Sequence, residues 1–139
     1  MKNILFLAVI SSIAVFAVSC GGNAENASFR TLSMEEGISL YSQLLSDDNL
    51  PENEKPVLLD VRHDDEYAAG HIPGAKLLTM ETIDEENSSA IIKSKTQPAF
   101  VYCRSGVRSK MAASKLHGLG FSNITNIGGI MSYSGELEK

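Results

Sequence analysis

The chain of 139 residues is 43% hydrophobic, 21% charged and 6% aromatic, the proportions of one foldable domain rather than a multidomain enzyme, a disordered tail or a collagen. Its formal charge of −5, with 12 lysines and arginines scattered along it, excludes a general nucleic-acid binder, which needs a clustered basic surface. Two cysteines, Cys20 and Cys103, allow at most one disulfide and so rule out a disulfide-stapled mini-protein.

Residues 1–19 read as a secretory signal peptide. Lys2 precedes an apolar run from Ile4 to Val18 that only Ser11 and Ser12 interrupt, and the run is shorter than the ~20 apolar residues that span a bilayer comfortably. Ala17-Val18-Ser19-Cys20 resembles the lipobox of bacterial lipoproteins, although Ala17 stands where that pattern prefers a larger aliphatic residue. The resemblance implies that Cys20 is lipidated, becomes the new N-terminus and anchors an exported protein to a membrane of the cell envelope. A disulfide to Cys103 is the other role open to Cys20. Gly21 to Ser28 lack large apolar groups, so 20–32 read as a lipid-anchored linker and 33–139 as the folded domain.

Within that domain, Ser33 with Glu36 three residues on signals a capping box, and Met34, Ile38, Tyr41 and Leu45 share one helical face. After Pro51 and Pro56, Val57-Leu58-Leu59-Asp60-Val61 reads as a strand buried on both faces. Asp64–Ala69 predicts a brief helix stopped by Gly70, Ile72–Ala75 a turn, and Lys76–Leu78 a short strand. A helix is expected from Glu81 to Lys95, with Asp84, Glu85 and Glu86 solvated at its acidic start and lysines at its end. Ala99–Tyr102 is the clearest strand, and a helix through Met111, Ala112, Lys115, Leu116 and Leu119 follows it, ended by Gly118 and Gly120. Ile124–Ile127 is a last strand before a polar tail. Strands alternating with helices imply an α/β domain whose sheet is parallel, because parallel neighbours need crossover helices.

In such sheets reactive loops lie beyond the carboxyl ends of the strands, and Cys103 sits at one of them. The glycine-containing turn and helix that follow can aim backbone N–H groups at its sulfur. Arg104 and Arg108 add positive charge, so the thiolate is favoured and Cys103 is a candidate nucleophile rather than a buried small hydrophobe. Gly106 permits the tight turn, and Ser109 is expected to cap the next helix. His71, just before Ile72-Pro73-Gly74, reads as a structural hydrogen-bonding residue. His63 and His117 lack zinc-ligand spacing with each other or with Cys103.

Three separated segments carry a resemblance: Leu58-Leu59-Asp60-Val61-Arg62 with Glu66-Tyr67 and Gly70-His71-Ile72-Pro73-Gly74-Ala75, then Val101 through Ser109, then Asn126-Ile127-Gly128-Gly129-Ile130. In this order they resemble the signatures of the rhodanese-like family of single-domain sulfurtransferases, with Tyr133 where relatives usually place Trp. The resemblance implies a central parallel sheet with helices on both faces. It also implies that Cys103 takes sulfane sulfur from a donor such as thiosulfate, holds it as a persulfide and passes it to a thiophilic acceptor. Ser105, Gly106 and Val107 then belong to the cradle, with Arg104 and Arg108 binding the anionic substrate. Arg62 either borders the same pocket or joins Asp60 and Glu66 in an ion-pair scaffold.

No metal or organic cofactor is required by such chemistry. The implied partners are thiosulfate, a polysulfide or a thiol, and a protein sulfur acceptor. Cys103 to Arg108 is a Cys-x₄-Arg spacing, one residue shorter than the loop of the family's phosphatase relatives, which disfavours a phosphatase or arsenate reductase. A noncatalytic module that binds sulfur species or a partner through the same loop is the remaining alternative.

Overall fold

The structure, a computed structural model, describes residues 29–139; the segment read as a signal peptide and Cys20 lie outside the described residues. In chain order the elements are β1 (Arg30–Thr31), α1 (Met34–Leu45), β2 (Val57–Asp60), α2 (Asp64–Ala69), β3 (Lys76–Leu77), α3 (Glu85–Ile91), β4 (Ala99–Cys103), α4 (Val107–Gly118) and β5 (Ile124–Gly129). Single 3₁₀ turns occur at Glu52–Glu54, Met80–Thr82 and Ile130–Ser132. Every strand pairing is parallel, in the order β1-β5-β4-β2-β3. The expected rhodanese-like α/β architecture is the one observed.

Strand side chains alternate between faces, and the sheet therefore separates two apolar cores. Leu58, Phe100 and Tyr102 pack on one face with Met34 and Tyr41 of α1, and Tyr67 of α2 joins them. Leu59, Val101 and Cys103 point to the other face, against Ala112, Ala113 and Leu116 of α4, with Ile91 of α3 at the edge. All five residues of β4 are buried, as a central strand covered on both sides requires. Each large apolar side chain so buried contributes roughly 1.5–3 kcal/mol. The capping box at Ser33 forms as expected, with Glu36 N–H on the Ser33 hydroxyl and Ser33 N–H on the Glu36 carboxylate.

Two expectations are corrected. The stretch read as linker already contains sheet: Arg30–Thr31 pairs with Thr125 and Asn126 of β5, the Arg30 guanidinium bonds the Thr125 hydroxyl, and Phe29 packs on the core. A two-residue edge strand has too few residues to show alternation. The helix expected over 81–95 is split into the turn at Met80–Thr82 and the short α3, which Asp84 caps through Asn87 N–H at 2.7 Å. It stops because Ile92 turns extended and enters the core, while the Gln97 side chain takes the Lys93 N–H at 2.6 Å and donates to Lys55 O at 2.7 Å.

One irregularity matters for the site. Val101 pairs with Asn126, but Cys103 pairs with Gly129, so β5 carries one more residue than β4 between these points. This bulge carries the Gly128-Gly129 backbone up to the turn that follows Cys103.

Candidate active site

Cys103 ends β4 at the carboxyl edge of the sheet, and its residue is 0% exposed. The chain turns back at once through Gly106, whose φ of +105° is one that side chains rarely adopt. That turn brings Gly106 N–H to 3.0 Å from the Cys103 sulfur. The same turn starts α4 with no side-chain cap, so the amides of its first turn stay available to an anion. Ser109 is thus not the N-cap expected from the sequence; Gly106 holds that position, because the amides must converge on the sulfur before the helix can begin.

Burial pushes the Cys103 thiol up, but hydrogen bonds from the Ser109 hydroxyl and from the amides of Ser109, Gly106 and Ser105 outweigh it and hold the thiol below its ordinary value. The Ser109 hydroxyl also lies 3.0 Å from Gly106 O and 3.2 Å from Gly128 O. The turn is held from behind by β5. A Cβ on Gly129 would stand 2.3 Å from Arg104 O and 2.7 Å from the Ser105 backbone, so only glycine allows this approach.

The three arginines of the sequence reading separate. Arg108 makes a two-pronged pair with Glu66, at 2.7 and 3.0 Å, which ties α4 to α2 rather than presenting a guanidinium to an open pocket. That guanidinium holds the Glu66 carboxyl down at about 2. Arg62 clasps the buried Asp60 through Nε (2.9 and 3.0 Å) and Nη2 (2.6 Å) and also donates to Gly70 O at 2.8 Å. The scaffold reading of Arg62 and Asp60 is the observed arrangement, although Glu66 pairs with Arg108 instead. Arg104 is exposed and makes no ion pair or side-chain hydrogen bond among the described residues. Beside the loop, Arg104 and Arg62 line one cavity of about 320 Å³ with Glu66, Ile130, Met131 and Leu137.

Val107 stands 68% exposed immediately after the turn. His71 is structural, as expected: its Nδ1 meets Tyr67 O at 3.0 Å, its ring stacks on Tyr67, and its backbone pairs with Glu138. His63 faces Glu81 at 3.9 Å on the surface. Tyr133 lines a separate cavity of about 510 Å³ with Met34 and Ile38, which Cys103 does not line. The sequence reading missed Ser109 as a sulfur partner and Met131 and Leu137 as cavity walls. Both wall residues fall in what reads as a polar tail, where no periodicity marks them.

The arrangement can stabilise a sulfur anion at the mouth of a loop without a base, because the thiolate is favoured beforehand. The chain is similar to the thiosulfate sulfurtransferase of Pseudomonas entomophila, 33% identical over 101 residues that cover 73% of this chain and 80% of that protein. It is also 31% identical over 90 residues to the tRNA uridine(34) hydroxylase of Protochlamydia amoebophila, covering 60% of this chain but only 28% of that longer protein. Among solved structures, a rhodanese-like domain protein from Staphylococcus aureus superposes with a TM-score of 0.60 at 32% identity, over 78% of this chain and 96% of that one. Residues 45–136 match the family model of the rhodanese-like domain, and the chain belongs to that family.

Proposed function

We propose that the protein is a sulfurtransferase in which Cys103 carries sulfane sulfur as a persulfide. The observation that supports this best is the Cys103 sulfur held by the Gly106 amide at 3.0 Å, in a loop whose Ser105 and Ser109 groups also favour the anion. The Cys103 thiolate attacks the outer sulfur of thiosulfate, the sulfur–sulfur bond of the donor breaks, and sulfite leaves with the bonding pair. Arg104, which makes no ion pair among the described residues, binds the sulfonate end, with Arg62 bordering the same cavity. Arg108 positions the loop through Glu66 instead of touching substrate. A thiol acceptor then removes the sulfur, and neither a metal nor an organic cofactor takes part.

Intact-mass measurement after incubation with thiosulfate tests the reading. The wild-type domain is expected to gain one sulfur and to give thiocyanate with cyanide, and Cys103→Ser to do neither. A wild-type protein that never gains sulfur overturns it. We further propose that Cys20 anchors the exported chain by lipidation, on the Ala17-Val18-Ser19-Cys20 pattern. Palmitate labelling of cells that is lost in Cys20→Ala supports this, and labelling that persists defeats it.

A further inference from the structure

Five large apolar side chains are exposed among the described residues, and four of them belong to segments that adjoin the Cys103 loop: Val107 (68%), Met111 (53%), Met131 (73%) and Leu137 (48%). Val107 and Met111 lie one turn apart on α4, on the same exposed face as Lys110. Met131 N–H donates to Arg104 O at 3.3 Å, and Met131 and Leu137 share a cavity wall with Arg104. Single exposed hydrophobics are ordinary, whereas a group of them beside one nucleophile marks an interaction site.

The unpaired charge beside Val107, Met111 and Met131 is cationic. Arg104 and Lys110 are exposed and make no ion pair or side-chain hydrogen bond among the described residues, on a chain of net charge −5. Of the carboxylates nearby, Asp60 holds Arg62, Glu66 holds Arg108 and Glu138 faces His71 at 3.6 Å, while Glu136 is exposed beside Leu137 at the far edge of the patch. A small anionic donor needs neither the apolar rim nor Lys110. Because the Cys103 residue is 0% exposed, an acceptor thiol must enter the mouth of the loop, which a protruding segment does and a flat surface does not.

We propose that this patch docks a protein sulfur acceptor, one whose cysteine sits on a protruding acidic segment with aliphatic neighbours. Its carboxylates meet Arg104 and Lys110, and its aliphatic side chains cover Val107, Met111 and Met131. The proposal rests on the sulfurtransferase reading. In the step it serves, the acceptor thiolate attacks the outer persulfide sulfur, the bond to Cys103 Sγ breaks, and Cys103 leaves as a thiolate while the acceptor becomes the persulfide.

The test uses two short synthetic peptides with one cysteine each, flanked by Asp and Leu in one and by Lys and Leu in the other, with 2-mercaptoethanol as a small neutral thiol. The persulfide-loaded protein is expected to deliver sulfur to the acidic peptide about tenfold faster than to the basic one at low salt, and the preference to shrink at high ionic strength. Lys110→Glu and Met111→Ser should each slow the acidic peptide several-fold and leave 2-mercaptoethanol unchanged. Equal rates for the two peptides, or variants without effect, overturn the proposal. A second arm follows binding of fluorescent Cys-to-Ser peptides to the Cys103→Ser protein, where no sulfur moves. Selective binding of the acidic peptide beside a wild type that never gains sulfur defeats the transfer reading and keeps the docking surface; sulfur loading without selective binding defeats the docking surface alone.

Discussion

The carboxyl ends of β2 and β4 lie side by side in the sheet, and polar residues follow both, yet they behave oppositely. At β2 the polar groups consume one another: Asp60, Arg62 and Gly70 O form a closed set, and Tyr102, reaching over from β4, accepts Ile72 N–H on its hydroxyl at 3.1 Å, where burial with the Asp60 charge pushes that phenol up. At β4 the amides after Cys103 converge on the sulfur and favour its anion instead of closing on one another. A polar strand end becomes a scaffold when its hydrogen bonds close internally, and a reactive site when they are left aimed at one atom.

Four substitutions test this contrast, in order of expected effect. Asp60→Ala leaves the Arg62 guanidinium buried without its partner, and should cost about 3–5 kcal/mol in chemical denaturation, because an uncompensated buried charge outweighs any packing change. Gly129→Ala strikes the reactive end. Its Cβ would force Arg104 O and the Ser105 backbone away, so sulfur loading should fall on the order of a hundredfold with a stability loss of about 1–3 kcal/mol.

Ser109→Ala removes one hydrogen bond to the anion. The thiolate midpoint, followed by absorbance near 240 nm, should move upward, and activity near neutral pH should drop roughly tenfold and recover in alkali. An unchanged midpoint would show that the backbone amides suffice.

Glu66→Gln has the smallest effect, because the pair with Arg108 is partly exposed. The folded carboxyl titrates at about 2, below its ordinary 4.5, so the ion pair stabilises the fold fully above the ordinary value and loses that contribution as pH falls through about 2. Melting temperatures of wild type and variant should therefore differ most above pH 4.5 and converge toward pH 2. A constant difference across that range would remove the ion pair as the cause.

The central strands were legible because two covered faces demand apolar runs, and residues 57–59 and Ala99–Cys103 carry them. Cys103 and Gly106 were legible for a local reason, since a strand end, a glycine turn and a helix start follow one another within a few residues. Arg30–Thr31 was not, because its strand character comes from pairing with Thr125 and Asn126 across the fold. The helix expected over 81–95 failed in the same way. Its length was decided by where Ile92 had to be buried and by what Gln97 could bond, neither of which is a local property.

Taken alone, the sequence determined the alternation of strands and helices, the place of Cys103 at the end of a strand and the family signatures, all carried by neighbours in the chain. Only the tertiary structure decided which arginine is free. Arg62, Arg104 and Arg108 have the same guanidinium, and their roles diverge because Asp60 and Glu66 reach two of them while the third meets no carboxylate among the described residues. It also decided that the amides close on Cys103, through a bulge in β5 that sets Gly129 against the loop from a distant part of the chain. Electrostatic pairing and close backbone approach depend on distances in space, and sequence order does not encode those distances where the partners lie far apart.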